Sequence, residues 1–257
     1  MLSNLLGIDS RVALIVGAGS GYGRQCALTL SEYGAKVAIA SRNKSPLEEV
    51  SQKLQNDYAI FPSDVSTIAE CEKLVADVID KFGRIDIVIH AAAFLESRMP
   101  EEVDGEHWEK TLNINLRSQF FIAREAIKHM RKQKWGRIIN FISTAGLSGG
   151  LPPSIIYGIS KSGAVAMTKS LARQNAQHGI LVNAISPASL DTPLFRRGLP
   201  NEEIELLKEK VLAMNLYGRW IEAEEVVNAV LFLASQMSSA VTGHILRADG
   251  GAELSGF

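Results

Sequence analysis

The stretch VALIVGAGSGYGRQCALTL (residues 12–30) decides the fold of this chain. It opens with five apolar residues, and an apolar run of this length without alternation is typical of a strand that is buried on both faces. Four glycines at alternate positions follow directly, Gly17, Gly19, Gly21 and Gly23. A segment of helical period comes next. Strand, glycine turn and helix in this order predict the first unit of a parallel α/β sheet.

Outward from this stretch, short apolar runs rich in β-branched residues alternate with longer segments of helical period. The strand candidates are VALIV, KVAIAS, AIFP, IDIVIH, RIINFIS, ILVNAIS and HILRA. The helical segments are residues 21–33, 45–55, 66–82, 107–133, 155–177 and 222–236. This alternation predicts right-handed βαβ crossovers and therefore a doubly wound, Rossmann-type α/β fold with about seven parallel strands and helices on both faces. Since no linker-like segment interrupts it, we expect a single domain over residues 1–257.

Composition excludes several classes of function. The net charge of −1 shows no basic excess of the kind that binds nucleic acid or membrane surfaces. The two cysteines, Cys26 and Cys71, both fall in predicted helices, and the five histidines show no metal-binding spacing, so no disulfide or metal site is expected. No apolar run reaches the roughly 18 residues of a membrane span. The sequence therefore predicts a cytoplasmic protein.

One segment departs from the alternation, at about residues 188–215. It reads ASLDTPLFRRGLPNEEIELLKEKVLAMN, a loop-like stretch followed by an amphipathic helix. Long excursions of this kind in compact domains are often lids or substrate loops. A plain surface insertion stays open as an alternative.

The glycine turn has the spacing GxxxGxG, with Gly17, Gly21 and Gly23 at the marked positions. Glycines let the backbone turn tightly and approach a pyrophosphate, and the free N–H groups at the start of the next helix stabilise its charge. Glycine-rich turns of this kind also occur for packing reasons alone. Because this turn follows the first strand, it favours dinucleotide binding.

The end of the second strand, AIASRN (residues 38–43), bears on the choice of dinucleotide. A carboxylate here would bind the ribose 2′-hydroxyl of NAD, whereas an arginine accommodates the 2′-phosphate of NADP. Ser41 stands in place of the acid, and Arg42 follows. Ser20, before Gly21, is not a second basic residue, and an Arg42 that only faces solvent is the alternative. The sequence favours NADP over NAD.

Together these motifs resemble the short-chain dehydrogenase/reductase family in its short single-domain form. The match runs over nearly the whole chain and includes, beside the glycine turn, SDV (63–65), LNINL (112–116), GRIINFISTAG (136–146), YGISK (157–161), ILVNAISPASLDTPL (180–194) and VTGHILRADGG (241–251). The resemblance implies an oxidoreductase that moves hydride between a nicotinamide and a ketone or secondary-alcohol carbon. It also implies a homotetramer that assembles through the helices at about 107–133 and 155–177.

The resemblance implies a catalytic tetrad at Asn115, Ser143, Tyr157 and Lys161. In the family the tyrosine is the general acid–base, the serine polarises the substrate carbonyl, the lysine binds the nicotinamide ribose, and the asparagine holds a water that relays protons. Tyr157 and Lys161 lie one helical turn apart. An adjacent ammonium favours phenolate, so we expect Lys161 to lower the pKa of Tyr157 by about 1–3 units from its usual value near 10.

The resemblance further implies cofactor contacts along the chain. Asp64 matches the residue that bonds the adenine amino group, with a turn aspartate as the alternative, and Thr192 matches the residue that contacts the carboxamide. The full set implied for the cofactor is Gly17, Ser20, Gly21, Tyr22, Gly23, Ser41, Arg42, Asp64, Val65, Ala91, Ala92, Tyr157, Lys161, Pro187 and Thr192.

Two motifs depart from the family pattern. The usual NNAG reads HAAA at residues 90–93, and Ala188 stands where the family has glycine. His90 is either a catalytic base or, as we favour, a buried structural histidine. Both departures motivate a rival hypothesis, that the chain senses a dinucleotide without turning over substrate. The intact tetrad argues against it.

The substrate pocket is expected at the carboxyl ends of the strands. Its candidate residues are Phe94, Leu95, Leu147, Ile155, Leu190, Phe195 and Trp220, whose apolar bias suggests a ketone or alcohol with a hydrophobic body. Arg196 and Arg197 could meet an anionic substrate or could be solvated. An acyl-carrier 3-oxoacyl reductase is a narrower alternative within the same family.

Overall fold

The computed structural model describes residues 5–149, 153–187, 189, 193–196 and 200–254. Each strand overlaps one of the predicted apolar runs, with ends that differ by at most two residues. The strands are β1 Val12–Val16, β2 Lys36–Ser41, β3 Tyr58–Pro62, β4 Ile87–His90, β5 Gly136–Phe141, β6 Ile180–Pro187 and β7 Ile245–Ala248. All of the pairings between them are parallel, which confirms the predicted fold class.

Helices connect successive strands. They are α1 Gly21–Glu32, α2 Lys44–Ser51, α3 Ile68–Phe82, α4 Gly105–Leu112, α5 Ser118–Gln133, α6 Ala145–Ser148, α7 Ile155–Asn175, α8 Pro193–Arg196, α9 Asn201–Met214 and α10 Ala223–Ala234. Within the ranges given above, none of them is long and apolar enough to cross a membrane.

The strand order in the sheet is β3-β2-β1-β4-β5-β6-β7. The chain builds outward from β1 to β3, then returns to the other side of β1 and builds outward again to β7. The order reverses between β1 and β4, where the connections leave in opposite directions and open a crevice above the carboxyl ends of the strands. This crevice positions the functional site.

Side chains that alternate along β1 divide the core into two layers. Ala13 and Ile15 face α1 and α10, where they pack with residues such as Leu30 and Val227. Val12, Leu14 and Val16 face α3 and α5 on the other side of the sheet. Burial of each large aliphatic side chain contributes about 1.5–3 kcal/mol, so the apolar runs of the sequence supply the rigid sheet beneath the crevice.

The predicted helix over 107–133 differs from the observed structure. Helix α4 starts at Gly105, because the Asp104 carboxylate accepts a hydrogen bond of 2.7 Å from the backbone N–H of His107. A π-helical turn, Asn113–Arg117, then separates α4 from α5. Such wide turns are frequent at functional sites, and this one contains the predicted catalytic Asn115.

Candidate active site

A cavity of about 610 Å³ lies at the carboxyl ends of the strands. It extends from the glycine turn after β1, past the ends of β4 and β5, to the short helix α8. Most of the predicted cofactor residues line it, namely Gly17, Ser20, Gly21, Tyr22, Gly23, Ser41, Arg42, Asp64, Val65, Ala91, Ala92, Tyr157, Lys161 and Pro187. Thr192 lies outside the described residues.

The glycine turn makes close contacts that a side chain would block. Gly17 has φ of 88° and Gly21 has φ of 53°, in the left-handed region that favours glycine. A Cβ atom on Gly17 would lie 2.5 Å from the backbone nitrogen of Ala92, and one on Gly23 would overlap the carbonyl oxygen of Gly17. The turn is therefore tight, and it leaves the backbone N–H groups at the start of α1 next to the cavity, as a dinucleotide pyrophosphate requires.

The end of β2 forms another part of the cavity wall. The Ser41 hydroxyl donates to the carbonyl of Asn43 at 3.0 Å, which shapes the turn into α2. Arg42 is exposed and lines the cavity. Asp64, after β3, accepts a hydrogen bond of 3.0 Å from the N–H of Ser66 and also lines the cavity. Asp64 thus both stabilises the turn after β3 and lines the cavity.

The HAAA segment continues the wall at the end of β4. Its three alanines, Ala91, Ala92 and Ala93, all line the cavity, and the N–H of Ala91 donates to the carbonyl of Val16 at 2.8 Å. His90 is 1% exposed and is not among the described residues that line the cavity. Burial and the charge of Lys161 lower its pKa to about 3, which is too low for a general base near neutrality.

Ser143, Tyr157 and Lys161 come together in the cavity wall. Ser143 follows β5, and Tyr157 and Lys161 lie one turn apart in α7. The Ser143 hydroxyl lies close enough to the phenol of Tyr157 to stabilise its phenolate form and so to lower its pKa in part. The Lys161 ammonium, on a side chain that is almost fully buried, donates to the carbonyl of Phe141 at 2.8 Å and lies 5.5 Å from the centre of the Tyr157 ring.

The expected effect of Lys161 on Tyr157 is wrong for this structure. Burial raises the pKa of Tyr157 to about 12, and the nearby Ser143 hydroxyl offsets this only in part. Burial also lowers the pKa of Lys161 to about 8. Desolvation is the largest cause for both groups, and the ammonium bonds the backbone carbonyl of Phe141 rather than the phenol. The phenol of Tyr157 is consequently protonated near neutrality.

Asn115 is fully buried and is not among the described residues that line the cavity. Its side-chain oxygen accepts from the N–H of Phe94 at 2.7 Å, and its amide donates to the carbonyl of Phe94 at 2.8 Å. The same amide donates to the hydroxyl of Ser160 at 3.1 Å. Asn115 therefore joins the segment after β4 to helix α7.

Comparison with known proteins decides the family. Residues 17–253 match a family model described as "Enoyl-(Acyl carrier protein) reductase". The chain belongs to the short-chain dehydrogenase/reductase family. This confirms the family resemblance and, with it, oxidoreductase activity and the use of NAD or NADP as the cofactor class. The glycine turn described above fits such a dinucleotide, because Gly17, Gly21 and Gly23 line the cavity and place no side chain between it and the first turn of α1.

Several relatives are similar over nearly their full length. The 3-oxoacyl-(acyl-carrier-protein) reductase FabG of Rickettsia bellii is 34% identical, with 96% of this chain and 98% of that protein covered. The (2S)-((R)-hydroxy(phenyl)methyl)succinyl-CoA dehydrogenase subunit BbsD of Thauera aromatica is also 34% identical, with 97% and 99% covered. A crystal structure described as a short-chain alcohol dehydrogenase from Sinorhizobium meliloti has a TM-score of 0.90 at 30% identity, with 96% and 97% covered.

The apolar end of the cavity only partly matches the predicted substrate pocket. Phe94, Leu95 and Phe195 line it, and Trp220 packs edge-on against Phe195 with ring centres 6.0 Å apart. The other two described candidates, Leu147 and Ile155, do not line it. Leu147 packs against a small core cluster instead, and Ile155 is 40% exposed at the start of α7.

The segment predicted as a lid is described in part. From it, Ser189 and Leu194 line the cavity together with Phe195, and helix α9 follows. Arg196 is exposed and is not among the described lining residues. Leu190 and Arg197 lie outside the described residues.

Sequence reasoning left some of the cavity wall unassigned. These residues are Val16, Gly19, Asn43, Pro46, Ser63, Ala93, Ile114, Phe141, Ile142, Thr144, Ser189 and Leu194. Many of them flank residues that the motifs did single out, so proximity in sequence was the available signal. Ile114 also adjoins a predicted site residue, Asn115, yet Ile114 lines the cavity and Asn115 does not. Phe141 stacks on Tyr22 with ring centres 5.5 Å apart.

Proposed function

We propose that this oxidoreductase is an NADP-preferring ketoreductase or secondary-alcohol dehydrogenase. The observation that carries the proposal is the convergence of two hydroxyls and a buried ammonium, from Ser143, Tyr157 and Lys161, in a cavity that continues to the glycine turn. A nicotinamide bound there would supply or accept hydride. Tyr157 and Ser143 would donate hydrogen bonds to the substrate oxygen, where negative charge develops during reduction.

The raised pKa of Tyr157 supports proton donation by this residue. A phenol with a pKa of about 12 stays protonated at neutral pH and can transfer its proton to the oxygen of a reduced carbonyl. Lys161 lies within 5.5 Å of the ring, so its charge would stabilise the phenolate that remains. Its bond to Phe141 fixes the ammonium in this position.

The apolar lining supports a substrate with a hydrophobic body. Phe94, Leu95 and Phe195 form this end of the cavity with Ile114 and Leu194. A 3-oxoacyl thioester is the first substrate to test, because one relative is an acyl-carrier reductase and another acts on a CoA ester. A cytoplasmic location stays a prediction from the sequence.

The test is ketone-dependent loss of NADPH absorbance with purified protein, over a panel of 3-oxoacyl thioesters, bulky apolar ketones and small charged sugars. We expect turnover of the apolar substrates. Preference for the charged sugars would contradict the pocket assignment. Tight NADPH binding without turnover of any substrate would favour the rival sensor function.

Arg42→Ala tests the cofactor preference. Arg42 is exposed at the cavity wall and is suited to pair with a 2′-phosphate. A charge-assisted hydrogen bond contributes about 1.5–3 kcal/mol, so we expect the NADPH Kd to rise by about 10- to 100-fold. The NADH Kd should stay within about 2-fold, since NADH has no 2′-phosphate. Fluorescence titration of both cofactors measures this.

The matched control is Lys128→Ala, which removes an exposed positive charge from α5, paired with Glu125 and remote from the cavity. This variant should bind both cofactors as the wild type does. Equal weakening of NADPH and NADH by Arg42→Ala would show that Arg42 has no part in cofactor discrimination.

We also propose that the chain forms a homotetramer. Large apolar side chains are exposed on the helices that the family resemblance assigns to the interface, with Trp108 in α4, Phe120 in α5 and Ile159 in α7 each about 40% exposed. Light scattering should give a mass of four times 27.9 kDa, and Ile159→Glu should reduce it. A monomeric wild type would refute the assignment.

A further inference from the structure

His90 occupies the centre of the sheet at the carboxyl end of β4. It lies between Val16 of β1 and Asn140 of β5 in the strand register and is 1% exposed. Its position next to the cavity wall, without lining the cavity, separates it from residues that could touch substrate or cofactor. Any effect of His90 on the reaction must therefore act through a neighbour.

The imidazole of His90 is connected to the π-helical turn by two hydrogen bonds. Its Nε2 lies 2.8 Å from the Ser118 hydroxyl, and that hydroxyl donates to the carbonyl of Ile114 at 2.6 Å. Since the hydroxyl has one proton, which it gives to Ile114, its oxygen accepts from the N–H at Nε2. The Nδ1 atom has no hydrogen-bond partner among the described residues.

The contact fixes the part of the chain that carries Asn115. The π-helical turn is held internally by the bond from the N–H of Ser118 to the carbonyl of Asn113. The Ser118 hydroxyl donates to the carbonyl of Ile114, and its hydrogen bond with His90 connects this hydroxyl to the sheet. The turn then presents Asn115, which clamps Phe94 and donates to Ser160.

Ser160 extends this connection to the catalytic helix. Its hydroxyl donates to the carbonyl of Tyr157 at 2.7 Å. The segment from His90 through Ser118 and Asn115 thus links the central strand both to the pocket wall at Phe94 and to the start of α7. A shift of the turn would move both of them.

The hydrogen bond between His90 and Ser118 does not change with pH in the neutral range. Burial and the nearby charge of Lys161 hold the pKa of His90 at about 3, so its imidazole stays neutral. A neutral imidazole whose Nε2 carries the proton is a fixed donor to Ser118.

We propose that His90 is a positioning residue that anchors the π-helical turn through Ser118 and thereby sets the places of Asn115, Phe94 and Tyr157. The kinetic part of this inference rests on the proposed ketoreductase function. The anchoring part is independent of it.

Three substitutions test the hydrogen bond between His90 and Ser118. His90→Gln places an amide nitrogen as many bonds from Cβ as Nε2, so it can restore the donor. In His90→Asn the amide nitrogen is only as many bonds from Cβ as Nδ1, so the donor to Ser118 is lost. Ser118→Ala removes the acceptor. The readouts are kcat and KM for the best ketone of the panel, and amide hydrogen exchange over residues 113–118 with β2 as an internal reference.

We expect His90→Asn to lower kcat by about 10- to 100-fold, the order of loss for a misplacement of about an ångström. Exchange in the turn should accelerate while β2 is unchanged. His90→Gln should stay within about 3-fold of wild type on both readouts. His90→Asn combined with Ser118→Ala should lose less than the product of the two single losses, since the two residues share one contact and Ser118→Ala adds only the loss of the bond to Ile114.

Unchanged exchange and unchanged kcat in His90→Asn would overturn the inference. Faster exchange without loss of kcat would retain the anchor and overturn its catalytic consequence. If His90→Gln fails as His90→Asn does, the donor at Nε2 is not the relevant feature and the proposal is overturned. A wild type without turnover would refute the proposed function, and the exchange data would still decide the anchoring.

Discussion

Replacing Tyr157 with phenylalanine is expected to lower ketone turnover by about 10²- to 10⁴-fold, the contribution typical of a general acid. The substitution removes only the phenol oxygen. The ring keeps its place in α7, and the Ser143 hydroxyl keeps its bond from the N–H of Ala145 at 3.2 Å. NADPH binding should therefore stay within a few-fold of wild type. The measurement is kcat from NADPH consumption together with NADPH Kd from fluorescence.

Tyr58→Phe is the matched control. Tyr58 is the first residue of β3, at the amino end of the strand and away from the carboxyl ends where the cavity lies, and it is exposed. It should leave kcat and Kd unchanged. If Tyr157→Phe keeps more than a tenth of wild-type kcat, the acid is another group, and Ser143 is the next candidate in the described part of the cavity wall.

Replacing Lys161 with methionine is expected to abolish efficient turnover and to stabilise the fold. Burial lowers the pKa of this lysine from 10.5 to about 8, so its ammonium destabilises the folded state at neutral pH. The lowered pKa corresponds to roughly 3 kcal/mol, from about 1.4 kcal/mol for each pKa unit. Methionine fills a similar volume without the charge. The lost bond to Phe141 offsets about 1 kcal/mol, so a net gain of roughly 2 kcal/mol is expected at pH 7.

The sign of the pH dependence follows from which state binds the proton more tightly. Between pH 8 and 10.5 the unfolded chain keeps the proton of Lys161 and the folded chain loses it, so the free energy of unfolding of the wild type rises with pH in this window. The methionine variant lacks this rise. The excess of its free energy of unfolding over that of the wild type should therefore be largest below pH 8 and should disappear by about pH 10.5.

Urea denaturation of both proteins at pH 7, 9 and 10.5 measures the difference, in which the other titrating groups cancel. Lys169→Met is the control, because Lys169 lies in the same helix and is exposed. A methionine variant at position 161 that is less stable at pH 7, or a difference that is constant with pH, would contradict the assignment of an uncompensated buried charge.

The sequence alone determined the fold, the order of the elements and many of the residues that line the cavity. Apolar runs such as VALIV are long enough to require burial on both faces, and helical segments between them leave a parallel sheet as the solution. The glycine turn could be predicted equally well, because the backbone conformation of Gly17 and the close packing around it exclude other residues. These features are local, so neighbouring residues are enough to specify them.

Only the tertiary structure decided which side chains face the cavity, and in which protonation state. Leu147 and Ile155 have the apolar character of pocket residues, yet Leu147 is half-buried against a small core cluster and Ile155 is exposed. The spacing of Tyr157 and Lys161 predicted a lowered pKa for the phenol, whereas burial raises it. The bond from His90 to Ser118 spans 28 positions in the chain. Desolvation and long-range contacts depend on which residues from distant segments pack around a group. A local sequence pattern does not specify those residues.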